Sequence, residues 1–279
     1  MTPGEPRKPP VLATLGALLA FALVAAWILT SGINSLIDLV KGPPPPPAAK
    51  APATAPVTAP LKPVSARRLT PPWPGKSPAE AAISTDLFAK NYYVVLDASG
   101  SMAGKGCSGG LSKFDAARNA LAEFARSIPP EANLGLQVFD THGVREVLPL
   151  GTGNRERFTA ALQGVRPNGN TPLQTSVRHA YAKLMERGGR QLGYGEYHLV
   201  MVTDGEADPG EDPSAVVSAL LAQSPVVLHT IGFCIGEQHS LNQRGRTLYR
   251  AADNPEQLRA GLAEVLAEAP AFADAQFGK

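Results

Sequence analysis

Two aspartates, each closing an apolar run and each followed by turn-forming residues, are the first candidates for chemistry in this sequence. Asp97 ends "YYVVLD" and opens "DASGS", which places two hydroxyls, Ser99 and Ser101, at alternate positions. Asp204 ends "YHLVMVTD" and leads into "GEAD", while a further hydroxyl, Thr171, stands in "NGNTPL". Carboxylates and hydroxyls are hard oxygen donors, a set that suits Mg²⁺, Mn²⁺ or Ca²⁺ rather than a soft metal. Each fragment alone also has an ordinary reading. Asp97 with Ser99 makes a turn closed by local side-chain to backbone bonds. Thr171 followed by Pro172 makes a helix N-cap with proline at the first helical position, and "TDGEAD" is turn chemistry after a strand. Only convergence on one place in the fold separates a site from a set of turns.

The elements beyond Ala79 supply that convergence. "YYVVLD" (92–97) and "YHLVMVTDG" (197–205) are continuous apolar runs of the kind that form strands buried on both faces. "NLGLQVFD" (133–140) and "REVLPL" (145–150) read as two strands joined by the turn-like "THG", "PVVLHTIGF" (225–233) as a strand and "RTLYRA" (246–251) as an edge strand. Between them lie helical patterns at 113–128, 155–165, 172–186, 213–223 and 255–269; in the first, Phe114, Ala117, Leu121, Phe124 and Ala125 fall at helical spacing. This alternation predicts an α/β domain with a Rossmann-like, open, mostly parallel sheet and helices on both faces. Ligands of such sheets bind beyond the carboxyl ends of the strands, which is where Asp97 and Asp204 would both stand.

The order Asp97-Ala98-Ser99-Gly100-Ser101, then Thr171, then Asp204 in "VTDG" resembles the metal-ion-dependent adhesion site of von Willebrand factor type A (VWA) domains. The resemblance runs over about 90–269 and takes in the "TIGF" strand and the terminal helix after "TLYRAADNPEQL". It implies that Ser99 and Ser101 coordinate a divalent cation directly, that Thr171 joins them, and that Asp97 and Asp204 act directly or through water. Mg²⁺ is the first expectation, with Mn²⁺ and Ca²⁺ as alternatives. It further implies a non-enzymatic role, in which an Asp or Glu carboxylate of a protein partner completes the coordination in adhesion or envelope-complex assembly. It also implies one antiparallel edge strand, in keeping with the hairpin read at 133–150. Two other readings stay open: a metal-dependent phosphohydrolase, and a scaffold whose metal site is occupied but binds no partner. The glycine-rich "AGKGCSGGLS" after Met102 departs from the family pattern, and it lacks the spacing of a phosphate-binding loop.

The front of the chain has a different composition. After a short basic segment (1–10), residues 11–29 form an uncharged apolar run; as a helix it would span roughly 28 Å, enough for a bilayer core. Arg7 and Lys8 before it and Trp27 near its end predict a transmembrane signal anchor over 11–30 with its N-terminus in the cytoplasm. A cleaved signal peptide is the competing reading, although "TSGIN" offers no Ala-x-Ala-like site. Residues 31–78 read as a proline-rich linker, with 13 prolines between Pro43 and Pro78 favouring extended polyproline II spacers over a core. The VWA domain (79–279) would then face the periplasm or the cell exterior from the inner, cytoplasmic membrane.

Charge follows the same division. Residues 1–78 carry 8 Lys/Arg and 2 Asp/Glu, and the remainder carries 18 and 22, so the domain lacks the clustered positive charge of a nucleic-acid binder. The chain has two cysteines, Cys107 and Cys234, both expected at the site end of the sheet. Outside the cytoplasm they could form a disulfide, the alternative being two unpaired small hydrophobes. Cys234 and His239 alone do not make a zinc site, and His179 and His229 read as structural.

Overall fold

Apolar runs bounded by turns become the central strands of a six-stranded sheet, in spatial order Gly143–Gly151, Asn133–Asp140, Lys90–Asp97, Glu196–Thr203, Val227–Phe233 and Leu248–Ala252. The structure is a computed structural model that describes residues 73–75 and 82–267. The expected anchor at 11–30 and most of the expected linker lie outside the described residues. Among the described residues, no helix is long and apolar enough to cross a membrane.

The strands are β1 (Lys90–Asp97), β2 (Asn133–Asp140), β3 (Gly143–Gly151), β4 (Glu196–Thr203), β5 (Val227–Phe233) and β6 (Leu248–Ala252). The helices are α1 (Lys113–Ser127), α2 (Arg155–Gln163), α3 (Leu173–Arg190), α4 (Ser214–Gln223) and α5 (Pro255–Ala267). β1 pairs in parallel with both β2 and β4, and β4-β5-β6 continue in parallel. Only β3 is antiparallel, on β2. As an edge strand with register shifts, β3 can hold Pro149, whose missing N–H a central strand would not tolerate.

Side-chain alternation along β1 builds two cores. Tyr92, Val94 and Leu96 pack with α1, α2 and α5 on one face, while Tyr93 and Val95 pack with α3 and α4 on the other. The chain builds outward from β1 to β3 and then crosses back to place β4 beside β1 on its other side. The sheet therefore has its topological switch point between β1 and β4, where the carboxyl ends of two buried strands flank a crevice.

Structured packing begins upstream of residue 79. Trp73 lies inside the expected linker, yet its ring meets Tyr197 edge-on at 4.6 Å and lies beside Tyr181 at 6.5 Å. A Cβ at Gly188 would come within 2.6 Å of the Trp73 ring, so this turn of α3 needs a glycine. The proline-rich composition around Trp73 hid a residue that belongs to the second core.

At the far end of the sheet from the two aspartates, His198 and His229 share a buried contact of 3.1 Å, with Tyr92 stacked on His198. Desolvation holds both imidazoles neutral, pushing His229 down to about 3, while Glu196 only partly offsets the effect at His198. Below the usual histidine range the unfolded chain therefore takes up protons that the folded chain refuses, so the stability this pair confers is present above about pH 6.5 and is lost on acidification. The urea midpoint of the wild type should fall between pH 7 and pH 5, and His229→Gln should lessen that fall. An identical pH dependence in the two proteins would contradict this account of the pair.

Candidate metal centre

Asp97 ends β1 and is fully buried. One carboxylate oxygen accepts the Ser99 backbone N–H at 2.7 Å, and the other accepts the Thr203 hydroxyl at 2.6 Å. Desolvation pushes its pKa up to about 6; bonds from Ser99 and Thr203 hold it lower than burial alone would, and the negative charge of Asp204 adds to the rise. The turn after Asp97 is anchored by Met102, which is fully buried in the first core. Ser99 and Ser101 consequently stand side by side, with hydroxyl oxygens 3.0 Å apart.

Asp204 follows β4 across the switch point. Its Oδ1 accepts the Ser101 hydroxyl at 2.6 Å, and its Oδ2 accepts the Lys113 ammonium at 2.7 Å. Ser99, Ser101 and Asp204 thus form a continuous line of oxygens, in which Ser99 is buried and Ser101 is open to solvent.

Thr171 arrives on a loop fastened at both ends of the crevice. Asn168 N–H donates to the Ala98 carbonyl at 2.8 Å, and Gly100 N–H donates to the Gly169 carbonyl at 3.0 Å. Gly169 has φ +101°, and a Cβ there would lie 2.6 Å from the Thr141 nitrogen, so only glycine permits this approach. On the other side, Thr171 N–H donates to Asp208 Oδ2 at 2.9 Å, and Asp208 N–H returns a bond to the Thr171 carbonyl at 3.1 Å. The expected N-cap does not form: α3 starts at Leu173, its cap is Pro172, and no side chain closes it. The Thr171 hydroxyl instead faces the crevice. A Cβ built at Gly205 would stand 3.6 Å from the Thr171 hydroxyl and 3.7 Å from that of Ser101.

The structure therefore gathers Asp97, Ser99, Ser101, Thr171 and Asp204 at one rim. Among the described residues no three of His, Cys, Asp and Glu cluster at metal-binding spacing, so a cation at this rim relies on the hydroxyls. The donor chemistry fits a hard dication: neutral hydroxyls face the crevice, and Asp97 is a buried carboxylate with no cationic partner among the described residues. The sequence reading missed three supporting residues. Thr203 immediately precedes Asp204 and holds Asp97; Asp208 in "GEAD" holds Thr171; Lys113 heads α1 and pairs with Asp204. His239 also serves the rim. Its Nδ1 accepts the Leu241 N–H, so its Nε2–H donates to the Gly205 carbonyl at 3.0 Å, and the ring braces the loop.

Cys107 and Cys234 form a disulfide that ties the glycine-rich loop after β1 to the end of β5, with Cα atoms 6.1 Å apart. Both residues have positive φ, uncommon for a side chain bearing a Cβ, so the backbone on each side is bent to meet the bridge. Gly106 adds a carbonyl near the Cys234 sulfur.

A family model for the von Willebrand factor type A domain matches residues 92–206, the stretch from β1 through Asp204. The uncharacterized protein YwmC of Bacillus subtilis (strain 168) is 30% identical over 173 residues, covering 56% of this chain and 73% of that protein. The chain belongs to the von Willebrand factor type A family. Solved structures with little sequence identity share the VWA fold. Proximal thread matrix protein 1 from the mussel byssus, solved with a zinc-occupied MIDAS motif, is 18% identical with a TM-score of 0.51; the match covers 64% of this chain and 47% of that one, so this chain spans about half its length. An aerotolerance-related membrane protein from Bacteroides fragilis NCTC 9343 is 16% identical with a TM-score of 0.52, over 64% of this chain and 99% of that one.

The disulfide spans 127 residues of the VWA domain, and a loop of that length corresponds to about 5 kcal/mol in the chain-entropy model. Cys234→Ser should lower the unfolding free energy by several kcal/mol, about 5 at most, under oxidising conditions. The same loss should appear in the wild type after reduction, as read by urea denaturation. Insensitivity of the wild type to reductant would contradict a structural bridge.

Proposed function

We propose that this chain is a membrane-anchored VWA domain that binds a divalent cation and, through it, an Asp or Glu carboxylate of a protein partner outside the cytoplasmic membrane. Mg²⁺ is the leading ion, with Mn²⁺ and Ca²⁺ as alternatives. The observation that carries the reading is the line Ser99–Ser101–Asp204, with Asp97 behind it and Thr171 beside it, at the switch point of the sheet. Zinc at the corresponding motif of the mussel protein supports a metal role, and the membrane protein from Bacteroides fragilis supports the setting.

The residues divide the work by their surroundings. Ser99, Ser101 and Thr171 present neutral oxygens, while Asp97 and Asp204 supply negative charge from buried positions. When bound, the cation supplies a Lewis-acidic point for a carboxylate to occupy. Mostly neutral donors leave that point electrophilic, and Ser101 stands where solvent and a partner reach. Binding is favoured over hydrolysis because both Asp97 oxygens already accept hydrogen bonds, from the Ser99 N–H and the Thr203 hydroxyl, which makes it a poor general base.

Capture of partners from detergent-solubilised membranes should be lost with chelator, and equally with Thr171→Ala or Asp204→Ala. Capture that ignores both chelator and substitution would contradict the reading. Acid gives a second test. The ionised form of Asp97 attracts the cation, and its pKa in the free domain is about 6, so Mn²⁺ affinity should fall as pH drops through that value, with proton release on binding. Affinity unchanged between pH 7.5 and pH 5 would remove Asp97 from the cation site.

A further inference from the structure

Among the described residues, Lys113 is the one cation that the fold places on a carboxylate of the site. Its Nζ lies 2.7 Å from Asp204 Oδ2; the Asp204 side chain is fully enclosed and that of Lys113 is 17% exposed. Among the described residues, Asp204 has no other ion-pair partner. Helix stability does not explain this residue. Lys113 is the first residue of α1, where a positive charge opposes the helix macrodipole. The helix start is already served by Ser112, which accepts the Asp115 N–H, and Asp115 is itself taken by Ser112 and Arg118. The root of the side chain is fixed as well, since Lys113 N–H donates to the Gly104 carbonyl at 2.7 Å, three residues past Ser101.

We propose that Lys113 is a built-in counter-charge of the cation site, weakening its hold on the cation while strengthening the loaded site's hold on an anionic carboxylate ligand. The inference rests on the cation-binding role set out above. Charge bookkeeping gives its direction. Asp97 and Asp204 bring two negative charges and Lys113 returns one, so a bound dication leaves the site at about +1. Without Lys113 the free site would attract the cation more strongly, but the loaded site would be neutral and would draw a carboxylate less. Lys113 is thus a specificity residue for the ligand's charge. It acts through Asp204 and not by contact with the ligand.

Opposite movement of two affinities distinguishes this role from a structural one. The full-length chain in detergent would be titrated with Mn²⁺, reading free ion by electron paramagnetic resonance. Acetate would then be titrated onto the Mn²⁺-loaded protein, reading the displacement of bound water by proton relaxation. Lys113→Met keeps the aliphatic stem and removes the charge; it should bind Mn²⁺ about tenfold more tightly and acetate about tenfold more weakly than the wild type. Lys113→Gln, which keeps a donor for Asp204, should follow the Met variant and guards against a folding defect in it. Lys113→Arg should stay near the wild type. Two affinities that move together or not at all in Lys113→Met and Lys113→Gln would overturn the inference while leaving the cation site standing. Absence of Mn²⁺ binding in the wild type would overturn the cation-binding role and this inference with it.

Discussion

A carboxylate enclosed at the end of a central strand is the constraint on which the rest of this structure depends. Burying Asp97 costs free energy unless its charge is neutralised or hydrogen-bonded. Two donors from neighbouring segments, the Ser99 N–H and the Thr203 hydroxyl, meet part of that cost and hold β1 and β4 in mutual register at the rim. The remaining cost appears as a pKa pushed up to about 6, chiefly by burial and further by the charge of Asp204. Asp204, next to it, has a positive charge beside it in Lys113. The site is therefore asymmetric: Asp204 is paired with an ammonium, whereas Asp97 is held by neutral donors.

Everything else at the rim serves to keep oxygens turned toward the crevice. Met102 plugs the core beneath the serines, and Gly169 lets the Thr171 loop press against the β2–β3 turn closely enough to bond Gly100. Asp208 then locks Thr171 from the opposite side. Beyond the oxygens, the disulfide ties the glycine-rich loop to the end of β5. Such preorganisation would lower the ordering cost of the proposed cation binding, because the donors are already gathered.

Much of this was legible in the sequence for a physical reason. Strands buried on both faces must be continuous apolar runs, so an aspartate ending such a run marks a rim, and two of them mark a shared one. The hairpin at β2–β3 was readable from its turn for the same reason. Thr171 was harder, since a threonine before a proline equally describes a helix cap, and only the placement of the cap at Pro172 separates the two. Lys113 carried no signal: a lysine at a helix start looks like an exposed residue, and its partner lies 91 positions away. Trp73 was masked by the prolines around it, because composition averages over a window and one packed indole does not change the average. The cysteine pairing could not be decided from two positions 127 residues apart until the fold brought their Cα atoms to 6.1 Å.

The central claim is that a divalent cation sits among Ser99, Ser101, Thr171, Asp97 and Asp204. Anomalous scattering from crystals grown with Mn²⁺ tests it most directly. A single strong peak within bonding distance of the Ser99 and Ser101 hydroxyls, at the crevice between β1 and β4, is the result predicted. Crystals at saturating Mn²⁺ with no peak in that crevice, or with Mn²⁺ only elsewhere on the domain, would contradict it.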